Sequence, residues 1–440
     1  MSFLGLKDVD SLGDDDQRPY TWRAGMLMEY PDGDMPLTGL TALMNSREVT
    51  EDPQFYHWEK EFQERSGTVT GRYTDSSLVA GASYAGSGAS ADVLYFKMSS
   101  DDVQHFRPRH QVILQDASDY RVTVRGKVLS REDNGASSYI GVKLMEADDN
   151  SPDNSLVHCD SVQVVGNINP EFSEFPEGIK YHPTKVYNLT QIYIEPLGIS
   201  RTALKTRYRT GDAFPEDKRE ALEYHAVDQE QNLIWGLKSE GIGDNGHPER
   251  TAMGFVEFAN TYAPTNIDDF SLNTDYTGET WEDKGMEWLE ERLEIFSRYS
   301  SEEFLVVCGG GVILGLNKLA KKYGTIQMTT TTTSFGMKVK TWESPFFTLH
   351  FKIHPLFRTN QTLRNMALFM RPKHMVWRYV DETFYCDDPN YLKDKSLNMK
   401  GGHAFKDGVQ AGFITEGAYE FHFAKRHGIL YGFNTDNVVV

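Results

Sequence analysis

The spacing of apolar and polar positions changes several times along this chain, and each change marks a different element. In the first 36 residues no period survives, because Asp14-Asp15-Asp16, Pro19, Pro31-Asp32-Gly33-Asp34 and Pro36 interrupt it. That stretch reads as an arm rather than a lobe. Leu37 to Met44 is a short packed element, with Thr38 as its cap and Leu40, Leu43 and Met44 on one face. Phe55 to Phe62 is aromatic and alternates like a strand, and residues 76–92 carry Gly81, Gly86 and Gly88 and read as a mobile or tightly turning loop. From Gln111 to Val165 the period is two. Val112–Leu114, Tyr120–Leu129, Tyr139–Leu144 and Val162–Val165 are predicted strands, and Asp133-Asn134-Gly135 is a hairpin turn. Together they form a small β-module, too small to be the main core, followed by a proline-punctuated exit from Asn167 to Pro183.

Val186 to Ile194 predicts a strand and Ile199 to Thr206 a turn or short helix. Pro215 then opens the longest helical pattern, Glu216 to Lys238, with Glu216 and Asp217 at its positive end. Leu222, Ala226, Leu233 and Leu237 make its apolar stripe, interrupted by Gln229, and Gly241 and Gly243 terminate it. A second amphipathic helix, Glu282 to Arg298, places Met286, Leu289, Leu293 and Phe296 on one side. Phe304–Cys308 is a buried strand that Gly309-Gly310-Gly311 turns into a helix, Val312 to Tyr323. Four strand-like stretches follow: Thr329–Thr333, Met337–Trp342, Phe346–Ile353 and Asn365–Met370. Tyr385 to His403 is polar and loop-like, and Gly412 to Phe433 alternates over a length suited to two strands, broken near Lys425-Arg426-His427-Gly428. The predicted fold class is mixed α+β.

With 440 residues, the chain exceeds what one core usually accommodates, so two or three lobes are expected. Its 25 Phe, 22 Tyr and 7 Trp exclude a wholly disordered chain. The 45 Lys+Arg against 64 Asp+Glu leave a net charge of −19, which argues against general nucleic-acid binding, since that affinity comes from cations displacing counterions. Cys159, Cys308 and Cys386 are widely spread, which argues against both a disulfide framework and a zinc knuckle. The N-terminus lacks a signal-peptide pattern, and no apolar run approaches the ~20 residues of a membrane span. The expectation is a reduced, cytosolic, soluble protein.

Candidate chemistry is sparse. Strand, glycines, helix is a layout that can cradle phosphate. Yet Gly309, Gly311 and Gly315 do not fit G-x-G-x-x-G, and no Lys-Ser/Thr follows. A structural turn requiring positive φ is the stronger reading. His105 with His110, and His422 with His427, stand five apart and match no zinc motif. Asp387-Asp388 and Asp14–Asp16 lack calcium-loop spacing and read as solvated turns. Glu223 and His225, two residues apart on a helix, point about 160° apart, to opposite sides. No G-x-S-x-G elbow is present. No catalytic, cofactor or metal residue is therefore assigned, and the chain is expected not to be an enzyme. An arm carrying Trp22, Leu27 and Met28 cannot bury them against itself and needs a neighbour.

Three runs carry a resemblance: Tyr187-Asn188-Leu189-Thr190-Gln191-Ile192-Tyr193, Arg209-Thr210-Gly211-Asp212, and Lys218-Arg219-Glu220-Ala221-Leu222-Glu223-Tyr224-His225. With Trp22–Leu27, Pro36–Leu40 and the closing stretch Gln410–Phe433, they make the chain resemble major capsid proteins of tailed double-stranded DNA bacteriophages, from about Arg18 to Phe433. The resemblance implies a Hong Kong 97-type fold. Residues 1–50 would be the N-terminal arm and 51–185 the extended loop carrying the β-module. Residues 186–270 would be the peripheral domain with its spine helix at 216–238, and 271–372 the axial domain. Residues 373–440 would return to the peripheral domain, with a loop at 386–405 reaching neighbouring capsomers. It also implies self-assembly into hexamers and pentamers of an icosahedral head enclosing double-stranded DNA. Scaffolding, portal and decoration proteins would be partners, assembly would occur in the host cytoplasm, and neither cofactor nor membrane is implied.

The charge-rich N-terminal scaffolding segment of many relatives has no counterpart here, so a separate scaffolding protein and no large N-terminal processing are expected. Some relatives crosslink through a loop lysine; Lys97 lies in the corresponding region without a matching motif, and that chemistry is not carried over. Two alternatives remain open: a cytosolic α+β enzyme with a phosphate site at Gly309–Gly311, and an encapsulin-like compartment shell. Removing the arm through Asp16 is expected to leave a folded subunit that assembles poorly. Electron microscopy of that variant checks this, and normal shells would count against the arm's role.

Overall fold

The computed structural model describes residues 47–60, 65–116, 119, 123–148, 155–206, 213–299, 303–324, 329–334, 337–358, 360–386 and 408–439. The expected arm, the Leu37–Met44 element and most of the 385–403 loop lie outside them. The described fold is α+β. Its chain separates into two compact units: one combines Met1–His57 with Lys185–Val440, and the other is Trp58–Thr184.

The larger unit is organised by the strand Phe304–Cys308, which is buried along its whole length. Its sequence, Phe-Leu-Val-Val-Cys, has no polar position because both faces are covered. Phe304, Val306 and Cys308 enter one core, while Leu305 and Val307 enter another. The strand sits centrally in a seven-stranded sheet ordered Ile267–Asp269, Gly428–Tyr431, Ala367–Met370, Phe304–Cys308, Thr348–Ile353, Met337–Glu343 and Thr329–Ser334. It pairs parallel with Thr348–Ile353 and antiparallel with Ala367–Met370.

One face is covered by two helices. Trp281–Ser297 contributes Trp281, Trp288, Leu289, Leu293 and Phe296, and Gly310–Tyr323 contributes Val312, Leu316 and Leu319. The predicted stripe of the first of these helices is thus the buried one, extended by two tryptophans. Gly428 passes directly beneath Phe296, where a Cβ would meet the ring Cζ at 2.1 Å. The opposite face packs on the helix Phe255–Tyr262, on Leu233 and Ile234 of the longest helix, and on Trp377, Tyr419 and Phe421. The last three belong to a four-stranded sheet ordered Arg47–Val49, Met375–Cys386, Gly408–Phe421 and Gln191–Ser200.

The longest helix runs from Ala213 to Trp235, 23 residues and so ~35 Å. It ends earlier than the sequence predicts. Gly236 closes it with a bond from its N–H to Asn232 O at 2.8 Å, and the glycines expected to terminate it lie in or beside a hairpin strand, Ser239–Ile242. Its predicted apolar stripe is buried at Leu233 and half-buried at Ala226, but fails at its two other leucines. Leu222 is 44% and Leu237 67% exposed, whereas Ala221, His225, Glu230, Leu233 and Ile234 are buried. The inward row contains polar groups because each meets a partner. His225 Nε2 lies 2.7 Å from Thr415 Oγ1, and Glu230 Oε1 lies 2.7 Å from His354 Nε2. Leu356 N–H donates to His354 Nδ1 at 3.1 Å, so Nε2 carries the proton given to Glu230.

The smaller unit contains a closed barrel, larger than the four-stranded module predicted. Around it run Ser66–Tyr73, Val93–Met98, Tyr139–Leu144, Thr123–Glu132, His110–Gln115 and Ser161–Asn167. Strict alternation points Leu94, Phe96 and Met98 inward to join Val112, Leu114, Val128, Ile140 and Val142. The glycine-rich stretch before Val93 is held in place. Tyr84 donates its hydroxyl to Asp148 Oδ2 at 2.5 Å and accepts the Gly88 N–H at 2.7 Å.

Of the histidine pairs, His427 is a core residue of the larger unit. Its Nδ1 accepts from Arg371 N–H at 3.3 Å, and its Nε2 donates to His422 O at 3.1 Å. Burial, reinforced by the positive charges of His374 and Arg371, pushes it down to about 3. An unfolded histidine gains a proton near pH 6.5, which the folded one refuses until far lower. Its contribution to stability is therefore complete above pH 6.5 and lost as the pH falls toward 3, by at most about 1.4 kcal/mol per pH unit. His427→Gln is expected to flatten that part of the stability profile, measured by urea unfolding at stepped pH. Because the barrel encloses its own core, residues 58–184 expressed alone are expected to unfold cooperatively with a β-type circular dichroism spectrum.

Candidate functional site

The side chains and turns that the sequence singles out are mostly structural. The Gly309–Gly311 turn needs no positive φ: Gly309 has φ −79°, and none of the three is among the positive-φ glycines. Glycine is required there by close approach. A Cβ on Gly309 would meet Arg364 O at 2.2 Å, and one on Gly311 would meet Asn365 Oδ1 at 1.9 Å. Gly309 N–H in turn donates to Met366 O at 3.1 Å. The turn is a packing contact with the segment that leads into Ala367–Met370.

His105 and His110 do not converge on a ligand. His105 Nδ1 meets Tyr181 Oη at 3.1 Å, while buried His110 accepts from Arg107 Nε at 3.0 Å and is lowered to about 4 by burial and then by Arg107 and Arg65. Glu223 faces outward near Arg219, while His225 faces the core, as their spacing implies. Lys97 is half-buried on a barrel strand opposite Tyr139. Cys159 and Cys308 are buried thiols, each raised to about 12 chiefly by burial, and Cys386 is exposed. Asp14–Asp16 and Asp387-Asp388 lie outside the described residues. No described helix is long and apolar enough to cross a membrane.

Two surfaces stand out by what they leave in water. On the larger unit, Ile192, Ile194, Trp235 and Leu237 line one groove between the strand Gln191–Ser200 and the end of the long helix, and all four are exposed. On the smaller unit, the segment after the barrel is tied down by Arg107 to Glu177 O at 2.6 Å and Arg109 to Glu174 O at 3.0 Å. That same segment presents Phe172 and Phe175 fully to solvent. Two exposed aromatic rings on one held segment make it a candidate contact surface.

One cluster of polar side chains was not legible as such in the sequence. Glu420, nearly buried on the strand Gly408–Phe421, accepts from Arg378 Nε at 2.5 Å through Oε2. Its other oxygen, Oε1, meets His422 Nε2 at 2.5 Å and His57 Nδ1 at 3.5 Å. The two imidazoles lie edge to face with centroids 4.6 Å apart. Glu48, from the neighbouring strand, completes the set by pairing with Arg378. Burial alone would raise the Glu420 carboxyl, but hydrogen bonds from His422 and Arg378 outweigh it and hold the group at about 2. The usable signal was Glu-x-His across the end of a strand, where alternate positions share a face.

Similarities to known proteins are of three kinds. Among solved structures, a chain of Mycobacterium phage Bobi aligns over 95% of this chain and 96% of its own at 8% identity and TM-score 0.41. A chain of the holo-SrpI encapsulin complex from Synechococcus elongatus aligns over 58% of this chain and 76% of its own, at 14% identity and TM-score 0.35. The major capsid protein of Pseudomonas phage PaMx41 is 26% identical over 195 residues, a match spanning 44% of this chain and 46% of that protein. The family model described as SU10 major capsid protein matches residues 25–434, which include the whole smaller unit, most of the larger one and both exposed surfaces. The chain belongs to the SU10 major capsid protein family.

Proposed function

We propose that this chain is the major capsid subunit of a tailed phage, self-assembling into hexamers and pentamers of an icosahedral head around double-stranded DNA. The match of the family model over residues 25–434 carries the reading. In this reading the fold is of the Hong Kong 97 type. Residues 1–50 act as the arm, 51–185 as the extended loop, 271–372 as the axial domain, and 186–270 with 373–440 as the peripheral domain, with the long helix as its spine. Scaffolding, portal and decoration proteins are its partners, the host cytoplasm is where it assembles, and it performs no catalysis.

The physics of the surfaces supports this. A shell is held by many modest contacts acting together, each on the order of 1,600 Å² or less, and exposed apolar side chains on fixed segments supply them. A net charge of −19 gives DNA no counterion-release gain from the subunit as a whole, so the packaged polymer does not adhere to the wall.

Co-expression with neighbouring genes, followed by size-exclusion chromatography and negative-stain microscopy, tests the reading. Closed particles with six- and five-fold capsomers are expected, and a protein that stays monomeric under every assembly condition would overturn it. DNA-free particles holding a protein cargo would indicate a compartment shell instead. The double variant Phe172→Ser, Phe175→Ser is expected to lower shell yield severely. Its unfolding free energy should stay within about 0.5 kcal/mol of the parent, because exposed side chains contribute little to the isolated fold. Sedimentation and urea unfolding check the two halves.

A further inference from the structure

Three candidate ligand atoms converge in the larger unit: His57 Nδ1, Glu420 Oε1 and His422 Nε2, all within 4.8 Å of one another. They come from two parts of the chain. His57 lies on the strand Gln54–Glu59, Glu420 lies at the end of Gly408–Phe421, and His422 follows that strand directly. We propose that these three side chains form a binding site for a borderline divalent transition metal of the zinc class, with water completing the coordination.

The donor set favours that class. Two imidazoles and one carboxylate suit zinc, cobalt and nickel, whereas calcium and magnesium require a fuller set of oxygens. The spacing is within reach. Ligands about 2.0–2.1 Å from a tetrahedral metal stand about 3.3 Å from one another. Glu420 Oε1 is now 2.5 Å from His422 Nε2 and 3.5 Å from His57 Nδ1, so a modest turn of the His422 ring opens the space. The carboxylate is already oriented for the role. Arg378 holds Oε2 at 2.5 Å and is itself held by Glu48, which leaves Oε1 directed at the two rings. Outer partners that fix a ligand in this way are typical of metal sites. The three residues are half-buried, buried and half-buried in turn, so an ion has access from solvent while the carboxylate stays shielded.

A bound ion would bridge the strand following the arm to the strand returning from the far end of the sequence. In the absence of metal the same groups form the hydrogen-bonded cluster described above.

The test uses the full chain, stripped with chelator and titrated with cobalt(II). One equivalent is expected to produce visible ligand-field bands, to be displaced by zinc(II), and to be unaffected by magnesium or calcium in excess. His57→Ala and His422→Ala should each weaken binding at least tenfold, while His247→Ala, at an exposed bend outside the cluster, should leave it unchanged. If either alanine variant fails to fold, Glu420→Gln provides the same measurement with volume preserved. Absence of the bands in the parent, or bands of equal strength in the His57, His422 and Glu420 variants, would overturn the site.

Discussion

Everything in the larger unit depends on a single strand having no polar face. Phe304–Cys308 divides its side chains between two cores, so helices must cover one side and a second layer of helix and sheet the other. A strand of that kind cannot present either face to solvent, since that would leave two or three apolar side chains in water. The parallel partner Thr348–Ile353 and the antiparallel partner Ala367–Met370 follow from that centrality, and so does the glycine turn. The chain must leave the strand beneath Arg364 and Asn365, and only residues without a Cβ fit there.

What the sequence made legible tracks how local the cause was. Phe304–Cys308, Tyr139–Leu144 and the Trp281–Ser297 helix follow from periodicity within a few turns or pleats, and they appear where the pattern places them. The barrel is only partly legible. Ser66–Tyr73 has glycines at two of its positions, so its alternation is diluted, although Val93–Met98 alternates cleanly in the fold. The long helix fails for a different reason. Its inward row includes His225 and Glu230, which a hydrophobic pattern scores as outward, and their partners Thr415 and His354 are far away in sequence. Gly236 stops the helix before Gly241 because the backbone near Ala252 and Gly254 runs against it, another distant cause.

The candidate metal cluster illustrates the same limit from the functional side. His422 and His427 look like a pair in the sequence, yet one faces His57 and Glu420 while the other is locked neutral in the core between Arg371 and the His422 carbonyl. Five residues across a strand end and a short 3₁₀ turn are enough to send them to different environments. No spacing rule reports that, because the partner histidine enters from a strand that precedes the entire barrel. The exposed surfaces were equally out of reach. Leu237 reads as core by period and is outside by fold, and Phe172 and Phe175 lie in a stretch whose prolines mark it only as irregular.

The barrel leaves the larger unit through Gln54–Glu59 and returns through Thr184–Leu189, and these two strands pair in a sheet of their own. Paired strands lie about 4.8 Å apart, so whatever is inserted between them needs only closely spaced termini. Exit and return are clamped together by backbone hydrogen bonds independently of what the excursion contains. That arrangement is a socket. A foreign domain with closely spaced termini can be grafted there for display without redrawing the connectivity of the body that carries it.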